Sequence, residues 1–295
     1  SKDQPVKNPI RSSTSQATGS AVINLARRKL LAMAATLPWL GAGSVRAQEG
    51  SIKIAQSTAL SGPLADLGSA MHQGAKAAFA AINAKGGVQG RTIELATLDD
   101  AYEVPKALAN VDRFLADSSY FALFNCMGTP MIDAMLPKVI ESGIPFFAPF
   151  TGAQLSRTKT ARNVFNIRAS YADEAEKLVQ HLSTIGIQRI GIVYQNNSFG
   201  KEVFDSARQS MSRLKLPEAA AVTVENNASD AGAAAAKLAE ANPEAVVIGL
   251  AGKPTLEFVK AFRALRRGVT LYALSVMGTP ATVKALGADA TGMAI

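Results

Sequence analysis

The sequence predicts an α/β fold of two doubly wound parallel-sheet lobes joined by a hinge. Short apolar segments rich in β-branched residues alternate with segments whose apolar residues recur at helical spacing, and the connections between them are short. The strand segments lack a polar face, which is typical of parallel strands buried on both sides. This alternation occurs in two successive series, so we expect two lobes.

The first series begins after residue 50 and contains four strands and three helices. Glycines in the segment 86–90 end the first helix, because glycine tolerates the positive φ that a helix C-cap requires. The predicted strands lie at 51–57, 91–98, 120–126 and 144–150, and the helices at 71–82, 104–115 and 132–140.

The second series begins with an extended segment at 163–168. Strands are predicted at 189–195, 220–225, 244–250 and 269–276, and helices at 175–185, from 199 onward, at 231–239 and at 256–265. The polar segment Asn163–Ser170 lies between the two patterns and is the predicted first crossing between lobes. The predicted first lobe is therefore 48–166 and the second 167–295.

Residues 1–47 are predicted to be an N-terminal tail and an export signal peptide. Arg27, Arg28 and Lys29 precede an apolar run at Leu30–Leu40, and Val45-Arg46-Ala47 places small residues at a cleavage site after Ala47. The paired arginines resemble a twin-arginine signal, and a Sec signal is the other route. An amphipathic helix is the alternative interpretation. Export predicts a periplasmic protein, since no later segment is long and apolar enough to span a membrane.

The formal net charge is +8, yet it does not indicate a nucleic-acid partner. Seven of the 31 lysines and arginines lie in residues 1–47 with a single acid, so the remainder is nearly neutral. Cys126 is the only cysteine and is expected to be a small buried apolar residue. His72 and His181 are the only histidines, and their spacing predicts no metal site. No cofactor motif is present, and Asp99-Asp100 is expected to cap a loop or helix.

Ligands of doubly wound sheets bind beyond the carboxyl ends of the strands, which directs attention to the loops there. Two of them carry the same tetrapeptide, Met127–Pro130 and Met277–Pro280. Glycine permits a tight turn, threonine is a good N-cap and proline suits the first helical position. Such a helix N-terminus can hold a carboxylate without a basic residue. The alternative is that the match is coincidental turn chemistry.

Several segments resemble leucine/isoleucine/valine-type (type I) periplasmic binding proteins, the solute receptors of ATP-binding-cassette (ABC) importers. They include SGP at 61–63, INAKGGVQGRTIEL at 82–95 and LDD at 98–100, and the resemblance extends over Ser51–Ile295. It implies two lobes that close on a small molecule in the cleft. The ligand contacts implied are Leu67, Met127, Gly128, Thr129, Phe150, Thr151, Gly152, Tyr171, Phe199, Ala251 and Met277.

The sequence departs from that family pattern in three places. Amino-acid receptors of the family have an acid near the second Met-Gly-Thr-Pro to pair with the ligand's ammonium, and Ser275–Thr279 contains none. Cys126 resembles one half of a family disulfide, but its partner position is Tyr102, so a free thiol is expected. Family members continue beyond Ile295, so a C-terminally incomplete chain is expected.

The function expected is that of an extracytoplasmic solute-binding protein. It would capture an amino acid or an aliphatic or aromatic carboxylate and deliver it to the permease of an ABC importer, as a monomer and without a cofactor. A ligand sensor of the same fold is one alternative. An exported α/β enzyme centred on Asp99, Asp100 or Cys126 is another.

Overall fold

A computed structural model describes residues 50–295 and shows two five-stranded parallel sheets. The predicted signal peptide and its cleavage site after Ala47 lie outside the described residues. Two parallel α/β lobes confirm the fold class predicted from the sequence. The predicted boundary after residue 166 follows the last strand of the first sheet and stays a prediction.

The first sheet has the strand order β2-β1-β3-β4-β5. Its strands are β1 Ile52–Thr58, β2 Ile93–Asp99, β3 Tyr120–Phe124, β4 Phe146–Phe147 and β5 Val164–Phe165, and its helices are α1 Ala65–Ala84, α2 Val104–Leu115 and α3 Thr129–Ser142. Strand β4 is much shorter than the predicted 144–150. Pro145 and Pro149 have no N–H to donate to a ladder, and Ala148 has a φ of 54°.

The second sheet has the order β10-β9-β8-β6-β7. Its strands are β6 Ile190–Gln195, β7 Glu218–Val224, β8 Ala245–Gly249, β9 Thr270–Ala273 and β10 Met293–Ala294, and its helices are α4 Tyr171–Thr184, α5 Ser198–Arg213, α6 Ala231–Glu240, α7 Lys253–Leu265 and α8 Thr279–Leu286. Within residues 50–295, none of the helices combines the length and apolar character needed to cross a bilayer.

Both sheets share one topology, in which the first strand of a series lies between the second and the third. The strand order therefore reverses between β1 and β3 in one lobe and between β6 and β8 in the other. A crevice forms at such a reversal, because the helices that follow the two strands lie on opposite faces of the sheet. The segments after these four strands contribute to the candidate site, together with those after β2, β4, β5 and β9.

The two copies of Met-Gly-Thr-Pro occupy different positions in this shared topology. The first follows β3, the third strand of its series, whereas the second follows β9, the fourth. The segment equivalent to the first copy is Ala251–Pro254, after β8. Gly128 and Gly252 both have positive φ, 96° and 61°, and both precede a helix with proline in its first turn. Turn chemistry explains the geometry, so the tetrapeptide match is coincidental.

A hydrophobic cluster connects the two lobes. It includes Leu123 and Met127 of the first lobe together with Phe199 and Val276 of the second. A separate cluster lies within the second lobe and is built around Phe258 and Phe262. Apolar side chains at the carboxyl ends of both sheets are therefore in contact, and the lobes are closed on each other.

Candidate functional site

A small cavity of about 10 Å³ lies between the carboxyl ends of the two sheets. Its volume is about that needed for one water molecule. The residues that line it are Leu64, Leu67, Tyr102, Met127, Gly128, Thr129, Phe150, Tyr171, Phe199, Ala251 and Val276. Any larger ligand requires the lobes to part or a side chain to move.

The start of helix α3 forms one wall of this cavity. Gly128, with φ 96° and ψ 132°, is the N-cap, so the expectation that threonine caps this helix is wrong. Thr129 is instead the first helical residue, and its buried hydroxyl lies 2.8 Å from that of Thr151. A glycine cap leaves the threonine hydroxyl available for the cavity, because it is not needed by the helix backbone.

The loop Phe150–Gly152 is tied to this helix start by backbone hydrogen bonds. Gly128 N–H donates to the Phe150 carbonyl oxygen at 3.2 Å, and Phe150 N–H donates to that of Cys126 at 2.9 Å. The Thr151 hydroxyl accepts a bond from Ala153 N–H at 3.0 Å. These bonds fix the two threonine hydroxyls relative to each other.

Tyr171 is the first residue of α4 and brings a third hydroxyl to the same place. Its Oη lies 3.4 Å from Thr129 Oγ1, and its N–H donates to the Gly152 carbonyl oxygen at 2.8 Å. Ser170 caps the helix and forms a reciprocal capping box with Asp173. Burial raises the pKa of Tyr171, so its hydroxyl stays protonated and can donate.

The second lobe closes the cavity with apolar groups. Phe199 lies in the first turn of α5 behind the N-cap Asn197, and its ring centroid is 5.2 Å from that of Tyr171. Ala251 N–H donates to Gln195 Oε1 at 3.2 Å. Val276 completes this wall.

The structure brings eight of the eleven sequence-predicted site residues to the cavity lining. Thr151 lies directly behind Thr129, and Gly152 packs against the Tyr171 ring. Met277 instead lines a neighbouring groove, and Val276 faces the cavity in its place. For all eleven residues, contact with a ligand stays a prediction.

Sequence reasoning missed three lining residues, Leu64, Tyr102 and Val276. Leu64 and Val276 lie in loops that the strand-end rule had already selected, one or a few positions from the residues named. Tyr102 has a φ of 62°, and that reversal is not readable from the sequence.

Charged side chains stay outside the described cavity lining, but three polar residues link the lobes close by. The Arg168 guanidinium lies 4.6 Å from the centre of the Phe150 ring and donates to Ser275 Oγ at 2.5 Å. Ser275 N–H and Oγ both donate to the Glu174 carboxylate, at 2.7 and 2.9 Å. This cluster joins the crossing segment to the turn after β9, where the family pattern would have an acid.

The residues considered for catalysis have structural roles. Cys126 is buried, and burial raises the pKa of its thiol to about 12, so it stays protonated. Asp99 binds the N–H groups of Leu60, Ser61 and Ala101, as expected of a loop cap. Asp100 accepts from Ser57 Oγ at 2.7 Å and from Tyr102 N–H at 2.9 Å. Residues 50–295 contain no cluster of ligands suited to a metal ion.

Asp99→Asn and Asp100→Asn are expected to change stability with opposite pH dependence. Burial raises the pKa of Asp100, so the stability its protonation contributes is present at low pH and is lost as pH rises through the raised pKa. Desolvation alone would raise the pKa of Asp99, but hydrogen bonds, first that of Ser61, outweigh it and lower the pKa. Its contribution is therefore present above the unfolded pKa and lost as pH falls.

Urea denaturation between about pH 3 and 7 checks this, because both unfolded carboxyls titrate near pH 4, so the Asp99 contribution changes mainly below that pH and the Asp100 contribution above it. The stability of Asp100→Asn relative to wild type should rise with pH, and that of Asp99→Asn should fall. Parallel pH profiles for the two variants would contradict the assignment.

Residues 51–295 match the family described as periplasmic binding protein. Among curated proteins, Leu/Ile/Val-binding protein homolog 3 of Brucella melitensis is 24% identical over 229 residues, which are 77% of this chain and 60% of that protein. The chain thus spans less than two thirds of that relative's length.

The chain also resembles solved structures of periplasmic binding proteins. A substrate-binding periplasmic protein from Ralstonia solanacearum superposes with a TM-score of 0.78 at 32% identity, covering 82% of this chain and 69% of that one. A structure described as a possible leucine/isoleucine/valine-binding protein from Rhodopirellula baltica gives 0.76 at 31%, covering 84% and 68%. These proteins are binding proteins by name and not enzymes, which agrees with the predicted class. The chain belongs to the periplasmic binding protein family and is of its leucine/isoleucine/valine type (type I).

Proposed function

We propose that this protein captures a small carboxylate without an ammonium group in the cleft between its lobes. The observation that carries the proposal is the convergence of the Thr129, Thr151 and Tyr171 hydroxyls beside the N-terminus of α3. Hydroxyl donors and a helix N-terminus favour a carboxylate.

The ammonium of an amino acid would lack a partner in this site. The described lining contains no acidic side chain, and Ser275–Thr279 contains none either. An unpaired ammonium in a closed cleft costs several kcal/mol, which disfavours amino acids relative to aliphatic or aromatic acids. Relatives named as Leu/Ile/Val-binding support a carboxylate-bearing ligand, and the altered turn supports the loss of the ammonium contact.

The physiological role we propose is delivery of this ligand to the permease of an ABC importer from the periplasm. Family membership supports the transport role. The basic and apolar pattern of residues 27–47 supports export by a twin-arginine or Sec signal that is cleaved after Ala47. Closure on the ligand would generate the form that docks on the permease.

A thermal-shift screen of amino acids, aliphatic acids and aromatic acids tests the ligand class, because a ligand that binds only the folded state raises the melting temperature. We expect acids without an amino group to stabilise the protein. Stabilisation by amino acids alone would show that the ligand assignment is wrong.

Thr129→Val should weaken binding of any hit by roughly 10- to 100-fold, since a hydrogen bond to a charged group contributes about 1.5–3 kcal/mol. Thr255→Val is the matched control. Thr255 is buried in α7, and its Oγ1 has no hydrogen-bond partner among the described residues. Isothermal titration should show that this control binds with wild-type affinity. Equal losses of affinity in the two variants would mean that Thr129 does not contact the ligand.

A further inference from the structure

A groove of about 320 Å³ lies next to the cavity, also between the lobes. It is lined by apolar residues including Leu256, Met277, Ala281 and Ala285, and by the charged residues Asp66, Lys253 and Glu257. This volume is at the lower end of the range for small-molecule sites. The cavity alone, at about 10 Å³, is far below that range.

Leu67 is the one described residue that lines both the cavity and the groove. Elsewhere consecutive residues of three loops line opposite sides, so the loops themselves form the wall between the two volumes. Pro63, Gly252 and Met277 face the groove, and their chain neighbours Leu64, Ala251 and Val276 face the cavity. Among these wall segments, Leu67 is therefore the side chain whose rotation would connect the two volumes without moving a loop.

Two glycines determine how Leu67 packs. A Cβ at Gly278 would lie 2.6 Å from Leu67 Cδ1, so the leucine occupies space that only glycine leaves open. The adjacent Gly68 packs against the backbone of Ala59, where a Cβ would lie 2.7 Å from the carbonyl carbon. The helix start therefore packs tightly on Ala59, and rotation of the Leu67 side chain is the movement that leaves this packing in place.

We propose that Leu67 sets the length of the ligand, and that the groove is a subsite for an apolar tail whose carboxylate lies at Thr129 and Tyr171. This inference rests on the proposed function. With leucine in place, a tail is confined to the cavity side. Rotation or truncation of Leu67 joins the two volumes, and the tail then extends along Leu256, Ala281 and Ala285.

The test is isothermal titration of straight-chain monocarboxylates, from propionate to decanoate, into the full chain and its Leu67→Ala variant. In wild type, affinity should stop rising at a short ligand chain length, which we call the length limit. The variant should continue to gain affinity with length, by about fourfold for each methylene group that becomes buried. Leu67→Val is a smaller truncation and should give an intermediate length limit. It replaces Leu67→Ala in the test if the alanine variant does not fold.

Two control variants separate the groove from a merely larger cavity. Ala281→Leu fills the groove without touching the cavity. The double variant Leu67→Ala/Ala281→Leu should therefore show the short length limit of wild type again. Leu256→Ala should leave the limit of wild type unchanged, because Leu256 lies on the groove side only.

Two results would overturn the inference while leaving the proposed function intact. In the first, affinity stops rising at the same ligand chain length in wild type and in Leu67→Ala. In the second, the double variant still gains affinity for long chains as Leu67→Ala does. Failure of every carboxylate to bind wild type or variant would refute the proposed function and this inference with it.

Discussion

Replacing Gly200 with alanine is expected to lower the free energy of unfolding by about 3 kcal/mol, near the upper end for overpacking of a buried site. Gly200 is the third residue of α5, and a Cβ there would overlap the backbone nitrogen and carbonyl oxygen of Gln195 and lie 2.7 Å from its carbonyl carbon. Backbone cannot rotate away as a side chain can. The helix start that carries Phe199 would have to move.

Gly74→Ala is the control for this prediction. Gly74 lies inside α1, and a Cβ there would have no atom within 4 Å. We expect a gain of roughly 0.5–1 kcal/mol, because glycine in a helix interior is costly. Urea denaturation of both variants measures the two effects, and a Gly200→Ala protein as stable as wild type would refute the close approach.

Gly128→Ala is expected to weaken ligand binding by roughly 10- to 100-fold and to lower the free energy of unfolding by about 2 kcal/mol. The φ of 96° strains any residue with a side chain. A Cβ would also collide with Met131 Cε and lie 2.7 Å from Tyr102 Cε2, which forms part of the cavity wall. The Met131 side chain is flexible and can shift, whereas relief of the strained backbone or of the contact with the Tyr102 ring moves the α3 N-terminus and Thr129.

Gly143, at the other end of the same helix, provides a control that distinguishes backbone strain from disruption of the binding site. Its φ is 69°, and a Cβ there would have no atom within 4 Å. Gly143→Ala should therefore cost about 1 kcal/mol, from the left-handed backbone alone, and should bind ligand as wild type does. Equal binding losses in the two variants would mean that general destabilisation, and not the turn at Gly128, causes the effect.

The two-lobe architecture was readable from the sequence because the pattern that predicts it is local. Strands such as Ala245–Gly249 are wholly buried and therefore apolar throughout, and helices such as Val104–Leu115 bury a single stripe. The site loops followed from topology, since ligands of these sheets bind at strand ends. Family resemblance then selected positions within those loops.

Details within the loops were not readable, because long-range contacts decide them. Threonine and glycine have similar N-cap propensities, and Gly128 caps α3 because the chain reverses there with positive φ. Val276 faces the cavity in place of Met277 because a short 3₁₀ helix at Ser275–Met277 rotates the two side chains. The role of Leu67 as a shared wall depends on Gly278 in the other lobe, which no local pattern encodes.

The contact of Tyr171 with Gly152 also bears on the kinetics of capture. A Cβ at Gly152 would lie 2.6 Å from the Tyr171 ring, so the ring packs directly on bare backbone, next to the crossing between lobes. Points near a pivot move least when lobes separate. The three hydroxyls should therefore stay together in the open form and set the association rate, while Ala251 and Val276 arrive on closure and set the residence time.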